Sequence, residues 1–259
     1  MPKELVAAWT KAGANAGWMT VGEYGVADFL EDAEGSKGAV SAFKFARCAD
    51  GVLGKLPQPQ RPFGLFLFGT RITNAAMKEI AGLKHLRGLD LGNTKITDAG
   101  LRELAALKDL RALNLGSLKI TNAGMKELAA LNTLQALVLY DTEVGDEGLK
   151  ELAALQSLQT LHFDSNPVTD EGVKHIAKLK GLQTLTLDMN PVTDEGLKQI
   201  AKLKGLKLLS LRGTQVTDAG VKELSGMKGL EKLDLEFSKV TDAGAAELQK
   251  ALPTVKILR

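Results

Sequence analysis

Leucine recurs every 24 residues over most of this 259-residue chain. One column of equivalent positions holds Leu65, Leu89, Leu113, Leu137, Leu161, Leu185, Leu209 and Leu233. A second column, two residues later in each row, is leucine in every repeat except at Phe163. Apolar residues at alternate positions are typical of a strand with one buried face, so the pattern predicts one short strand in each repeat.

A short helix is predicted after each strand. In the stretch 97–107, Leu101, Leu104 and Leu107 lie three residues apart, behind a Thr-Asp pair that can cap a helix. Parallel strands lie about 4.8 Å apart whereas packed helices lie about 8–10 Å apart. The stack of repeats must therefore curve, with the strands on the inside and the helices on the outside.

The residues Leu86-x-x-Leu89-x-Leu91-x-x-Thr94-x-Ile96 and their seven copies resemble the leucine-rich repeat. The Thr-Asp-Ala-Gly-Leu-Arg-Glu-Leu stretch at 97–104 resembles its helical, ribonuclease-inhibitor-like class, and bacterial proteins built from near-identical units in particular. The resemblance implies an α/β fold. Its form would be a right-handed leucine-rich-repeat solenoid, or horseshoe, with a parallel concave β-sheet, convex α-helices and an N-terminal α/β cap.

In the family, an asparagine or cysteine usually occupies the position where the strand turns, and its side chain bonds neighbouring backbone. In this chain Asn166 and Asn190 match that position, and most other repeats carry a threonine or serine there. Leu118 has no polar side chain, so the sequence predicts a local irregularity in its repeat.

The two ends of the chain depart from the 24-residue period. Residues 1–60 are predicted to be a capping region, and residues 61–259 a solenoid of eight 24-residue repeats. The predicted elements of the ends are a helix near 3–13, a strand near 18–21, an acidic turn around 31–34, a degenerate repeat with Phe43-x-Phe45 as its strand, an extended link at 57–62, and a final capping strand at 252–258. Phe66 and Phe68 are expected to pack against the N-terminal cap.

Charge and composition exclude several classes of partner. Lysine and arginine total 33 against 31 acidic residues, so the net charge of +2 gives no general attraction to nucleic acid or acidic membranes. The apolar run at the N-terminus is too short for a membrane span. Cys48 is the single cysteine, which suits a reducing compartment. A cytoplasmic location is therefore predicted, and export through a removed signal stays open.

No motif for cofactor or metal chemistry is present. The sequence lacks a nucleotide-binding glycine fingerprint, a Cys-x-x-Cys pair and a His-Glu-x-x-His motif, so no cofactor is expected. His162, Asp164 and Asp188 are predicted to face the concave side from adjacent strands, but they are too few for a usual metal site. Ser210 is predicted two strands from His162, roughly 10 Å away, which is too far for a nucleophile and its base. The chain is therefore predicted not to be an enzyme.

The concave positions are small in the early repeats and varied in the later ones. The candidate partner-binding residues are Val138, Tyr140, His162, Asp164, Asp188, Arg212, Asp234 and Glu236. Tyr140 would be an aromatic anchor, and the charged residues would complement a basic or mixed protein surface. The leading hypothesis is a monomeric, non-enzymatic protein-protein interaction module. The alternatives are a structural spacer without a dedicated ligand and the recognition part of a larger enzyme or effector.

Overall fold

A computed structural model describes residues 1–22, 24–32 and 38–259. The predicted acidic turn around 31–34 lies partly outside the described residues. The strands are β1 (Ala14–Val21), β2 (Ala27–Leu30), β3 (Val40–Phe45), β4 (Phe63–Phe66), β5 (Leu86–Asp90), β6 (Ala112–Asn114), β7 (Ala136–Val138), β8 (Thr160–His162), β9 (Thr184–Thr186), β10 (Leu208–Ser210), β11 (Lys232–Asp234) and β12 (Lys256–Leu258).

One helix precedes β1, and from β4 onward helices alternate with the strands. The helices are α1 (Lys3–Lys11), α2 (Met77–Ala81), α3 (Asp98–Leu101), α4 (Asn122–Leu128), α5 (Asp146–Leu152), α6 (Asp170–Ile176), α7 (Asp194–Ile200), α8 (Asp218–Val221) and α9 (Asp242–Ala251). Short 3₁₀ segments lie at Leu53–Lys55, Asn74–Ala76, Arg102–Ala106 and Lys222–Gly226. The convex side is therefore a mixture of α-helix and 3₁₀ turns.

The strands form one open sheet in the order β12-β11-β10-β9-β8-β7-β6-β5-β4-β3-β1-β2. From β3 to β12 neighbouring strands pair in parallel, each leucine beside its equivalent, as in Leu161↔Leu185. The predicted right-handed leucine-rich-repeat solenoid, with a concave sheet and convex helices, is confirmed. The periodic leucines are fully buried, and each contributes roughly 1.5–3 kcal/mol before chain entropy is subtracted.

A ladder of aspartate and threonine joins most repeats to the next, and Asn74 and Asn122 take the place of the aspartate at two junctions. The carboxylate of Asp170 accepts hydrogen bonds from the N–H (2.9 Å) and the hydroxyl (2.6 Å) of Thr193. The same pairs form at Asp50–Thr73, Asp98–Thr121, Asp146–Thr169, Asp194–Thr217 and Asp218–Thr241. Because the ladder starts at Asp50, the aperiodic segment before residue 60 already has the bonding of a repeat.

The strand-ending turns are held by side chains on the core side. The Asn190 amide donates to the carbonyls of Phe163 (2.8 Å) and Asp188 (3.1 Å), and Asn166 bonds in the equivalent way. At Leu118, where the sequence predicts an irregularity, the Ile120 N–H donates to the Leu118 carbonyl at 2.9 Å. The preceding Ser117 keeps the left-handed φ of 54° that recurs at this point in other repeats.

Helix α1 covers the first repeat. The indole of Trp9 is fully buried, stacks on Phe43 at 4.3 Å between ring centroids and donates to the Pro57 carbonyl at 2.9 Å. At the opposite end, the strand predicted over 252–258 is observed only at Lys256–Leu258, as β12, which pairs in parallel with β11.

A hairpin formed by β1 and β2 passes over the concave face. The first part of β1 pairs with β3, and the second part, from Trp18 to Val21, pairs with β2. Beyond β3 the hairpin lies above the sheet, since the Met19 side chain rests on Gly64 and Gly88. The concave face is therefore bridged by the hairpin, which the 24-residue repeat pattern does not predict.

Candidate functional site

The tip of the hairpin is fixed to two distant repeats through Tyr24. The His162 Nε2–H donates to the Tyr24 carbonyl at 3.0 Å, and the two rings meet edge-on at 6.3 Å. The Lys232 ammonium donates to the Tyr24 hydroxyl at 3.0 Å and lies 4.7 Å from the centre of its ring. The neighbouring Gly25, with φ 75°, lies against Thr160 with no space for a Cβ. The hairpin thus divides the concave face in two.

The first cavity lies on the β2 side of the hairpin and has a volume of about 460 Å³. Its floor is the concave sheet, and its roof includes Tyr24, Val26, Ala27 and Asp28. Seven of the eight residues predicted from the sequence line it: Val138, Tyr140, His162, Asp164, Asp188, Arg212 and Asp234. The eighth, Glu236, lies outside and pairs with Arg212 (Nη1 to Oε2, 3.2 Å).

Five carboxyl groups line the first cavity: Asp28, Asp90, Asp164, Asp188 and Asp234. The cationic groups in its wall are Arg212 and Lys232. Burial raises the pKa of Asp90 to about 6. Burial also raises the pKa of Asp188, which a hydrogen bond from Ser210 partly offsets. The cavity is therefore acidic, with apolar floor residues such as Leu113 between the charges.

The central carboxylates also brace the turns of neighbouring repeats. Asp164 accepts from the Asp188 N–H (2.9 Å) and the Thr186 hydroxyl (2.8 Å). Asp188 accepts from the Arg212 N–H (2.9 Å) and the Ser210 hydroxyl (2.6 Å), both through Oδ1. Ser210 is thus bonded to a carboxylate and not to His162. In the described part of the chain, no group of three His, Cys, Asp or Glu is arranged to hold a metal ion.

Glycines of the early repeats leave space in which larger side chains pack against the sheet. Met19 lies on Gly88, and the ring of Tyr140 lies over Gly116. Burial raises the pKa of the Tyr140 hydroxyl. Val138 is only 8% exposed, so it belongs to the floor of the first cavity.

The expectation for the two early phenylalanines holds for one of them. Phe66 meets Phe29 of the hairpin edge-on at 5.6 Å, as the predicted contact with the cap requires. Phe68 instead lies over Gly92 of the next repeat and stays exposed.

Sequence reasoning missed two exposed apolar residues beside the first cavity. Met189 and Phe237 are 58% and 75% exposed and have left-handed φ angles of 56° and 60°. The equivalent positions elsewhere are Gly69, Asn93, Ser117, Asp141, Ser165 and Gly213. A bulky residue at such a φ is strained by about 1 kcal/mol or more. Two large apolar residues in a column that is otherwise small or polar were the available signal.

A second cavity, of about 700 Å³, lies on the β1 side of the hairpin. Side chains at the starts of the strands line it, among them Arg87, Arg111, Gln135, Gln159 and Gln183. The Nε of Arg87 is buried and has no hydrogen-bond partner among the described residues.

Residues 97–259, more than half of the chain, match the family described as "Leucine-rich repeat region". Residues 82–105 match a single unit described as "Leucine Rich repeat". No curated protein matches the chain significantly.

Solved structures with the same fold include three from two bacteria. An internalin of Listeria monocytogenes is 22% identical, with a TM-score of 0.63 over 76% of this chain and 53% of that protein, so the chain spans about half its length. Internalin C2 of the same organism is 28% identical, with a TM-score of 0.58 over 73% of this chain and 78% of that one. A leucine-rich-repeat protein of Leptospira interrogans is 25% identical, with a TM-score of 0.54, over 75% and 54%.

Proposed function

The chain belongs to the leucine-rich-repeat family, and we propose that it is a non-enzymatic module that binds a basic segment of another protein in the first cavity. The observation that carries the proposal is the grouping of five aspartates in one cavity of about 460 Å³. Charges that face a partly desolvated cavity interact more strongly than they would in water. A lysine or arginine of a partner would therefore be favoured there over an acidic residue.

Apolar anchors surround this acidic cavity. Tyr140 forms part of its wall, and Met189 and Phe237 are exposed on the neighbouring turns. The Arg212 guanidinium lies 5.4 Å from the centre of the Phe237 ring, which holds that side chain at the edge of the cavity. Aromatic and methionine side chains with adjacent charges are typical of protein-binding surfaces.

The same proposal includes four more specific statements about the protein. Its repeats belong to the helical, ribonuclease-inhibitor-like class, it comes from a bacterium, it is a monomer, and it is cytoplasmic. Burial raises the pKa of Cys48 to about 11, so the thiol stays protonated and unreactive, as suits a reducing compartment. Every helix among the described residues is too short or too polar to span a bilayer.

Fluorescence anisotropy with labelled peptides tests the proposal. The probe is a peptide of about ten residues that alternates lysine with valine, and its partner probe carries glutamate in place of lysine. We expect the basic peptide to bind and the acidic one not to bind. Asp164→Asn with Asp188→Asn should weaken binding by about tenfold, because each amide loses the charge but keeps one acceptor oxygen for the backbone N–H of the next repeat.

The matched control is Glu171→Gln with Glu195→Gln, which removes the same charge from exposed helix positions. It should bind the basic peptide like the native chain. If the native chain binds neither peptide, or if the control loses as much affinity as the aspartate variant, the cavity is not a basic-segment site. The spacer hypothesis, which the near identity of the repeats favours, would then be preferred.

A further inference from the structure

Strand β2 has one edge without a partner strand. It is the last strand of the sheet, and among the described residues it pairs with β1 alone. In the β1–β2 ladder the Gly22 N–H donates to the Val26 carbonyl at 2.9 Å. Hydrogen-bonded pairs alternate along an antiparallel ladder, so Asp28 and Leu30 also face β1. The N–H and C=O groups of Ala27 and Phe29 therefore point away from β1.

These outward groups have no hydrogen-bond partner in the ranges that the structure describes. The edge adjoins the first cavity, because Asp28 lines that cavity whereas Met19, Thr20 and Val21 of β1 line the second, and Ala27 lies between the two and lines both. An unpaired strand edge is a template on which another extended chain can form main-chain hydrogen bonds.

We propose that the first cavity holds an extended peptide of a partner protein, which adds as a strand to the free edge of β2. The inference rests on the proposed function and specifies how the partner binds. Ala27 and Phe29 supply the main-chain hydrogen bonds, and every second side chain of the peptide points to the concave sheet. Those side chains are basic, since the floor presents Asp90, Asp164 and Asp188.

The dimensions suit such a strand. The four residues of β2 span roughly 13 Å, and an added strand lies about 4.8 Å from its neighbour. The hairpin is held in place at its tip by the Tyr24 contacts to His162 and Lys232. An edge that is fixed before binding loses little conformational entropy when the peptide pairs with it.

A second copy of this chain is a poorer occupant of the same edge. Antiparallel pairing of two β2 strands would bring the Asp28 carboxylates of both copies close together. Like charges on neighbouring strands are destabilising. The Asp90, Asp164 and Asp188 charges would add to this repulsion.

The test uses the alternating lysine–valine peptide with the full chain. Ala27→Pro removes the outward N–H without touching the bonds to β1, and proline is tolerated on edge strands. Ala27→Val, the control, keeps the N–H and adds similar bulk. We expect Ala27→Pro to weaken binding by about tenfold and Ala27→Val to change it by less than about twofold.

Backbone N-methylation of the peptide gives a second readout that does not depend on how the variant folds. Methyl groups on alternate amides should abolish binding in one register and leave it nearly unchanged in the other, because only alternate N–H groups face β2. Equal effects in both registers, or native affinity in Ala27→Pro, would overturn strand addition.

Two further outcomes are informative. A peptide that binds Ala27→Pro normally but is lost in the Asp164→Asn, Asp188→Asn variant would overturn strand addition and leave the proposed function intact. A native dimer in light scattering that Ala27→Pro converts to monomer would also overturn the inference, because the edge would then hold a second copy. If the native chain binds no basic peptide, both proposals fail together.

Discussion

At the scale of single residues, the side chains that face the concave side of the sheet have both a structural and an electrostatic role. Asp90 accepts a hydrogen bond from the Gly92 N–H at 3.0 Å, and Asn114 accepts the equivalent bond from Gly116 at 2.9 Å. The turn therefore needs an acceptor oxygen but not a charge. The charge of Asp90 is unfavourable in the folded chain, since burial raises the pKa of this carboxyl to about 6.

Asp90→Asn should therefore stabilise the protein in a pH-dependent way. The carboxyl keeps its proton up to a higher pH in the folded chain than in the unfolded chain. The stability of the native fold that depends on this proton is therefore fully present below about pH 4 and is lost as the pH rises through about 6. We expect the variant to be about 1–3 kcal/mol more stable than the native chain at about pH 8 and no more stable at about pH 4. Urea unfolding at both pH values measures this.

Asn114→Asp is the reciprocal variant for this prediction. It places a carboxyl in the next repeat with the same turn bond, and it should destabilise the chain at about pH 8. A stability gain in Asp90→Asn that is equal at both pH values would show that the charge is not its cause.

At the scale of elements, the hairpin depends on glycines in the early repeats. A Cβ at Gly88 would collide with the sulfur of Met19, the flexible end of a long side chain. Gly88→Val should therefore leave the solenoid folded but lift the hairpin, which hydrogen exchange would report as faster exchange in residues 18–30. Met19→Ala added to Gly88→Val should slow that exchange again. If hydrogen exchange is unchanged in Gly88→Val, the contact of Met19 with Gly88 does not position the hairpin.

The tip of the hairpin has its own requirement for Tyr24. Tyr24→Phe removes the hydroxyl that accepts from Lys232, whereas Tyr24→Ala also removes the ring that meets His162. We expect limited proteolysis within residues 18–30 to be several-fold faster in the alanine variant, with the phenylalanine variant between it and the native chain. Identical cleavage rates in all three proteins would mean that Tyr24 does not hold the tip.

The repeating elements could be predicted from the sequence, but the hairpin could not. Each predicted strand places a leucine such as Leu161 in the core, and the 24-residue period repeats this evidence in eight equivalent strands. The hairpin is aperiodic, and its position depends on contacts such as Tyr24 with His162, which are 138 residues apart in sequence. The early concave positions could be predicted from the sequence only as small, and the structure shows that glycines such as Gly88 make the contact with the hairpin possible.

The candidate site was predictable in part for the same reason. The concave column follows from the period, so residues such as Asp164 and Asp188 could be assigned to one face. The roof of the first cavity comes from the aperiodic hairpin, and Met189 and Phe237 lie in turns whose left-handed backbone the pattern of apolar positions does not indicate.

At the scale of the whole molecule, stability is transmitted from each repeat to the next. Strand pairing, the buried leucines and the aspartate–threonine ladder all join adjacent repeats. Solenoid stability is approximately a sum of repeat and interface contributions. A change at one interface in the middle of the stack therefore weakens the coupling between its two halves.

Asp170→Ala tests this coupling, because it removes the acceptor for both the N–H and the hydroxyl of Thr193. We expect the free energy of unfolding to fall by about 1–3 kcal/mol, the range for two lost hydrogen bonds at a partly buried site. Asp170→Asn keeps an acceptor oxygen and should lose less. Glu171→Ala is the control, since its exposed side chain pairs with Lys174 of the same helix, and it should cost less than about 0.5 kcal/mol. Denaturant unfolding followed by circular dichroism measures all three. A loss in Glu171→Ala as large as that in Asp170→Ala would mean that the cost arises within helix α6 and not at the interface between repeats.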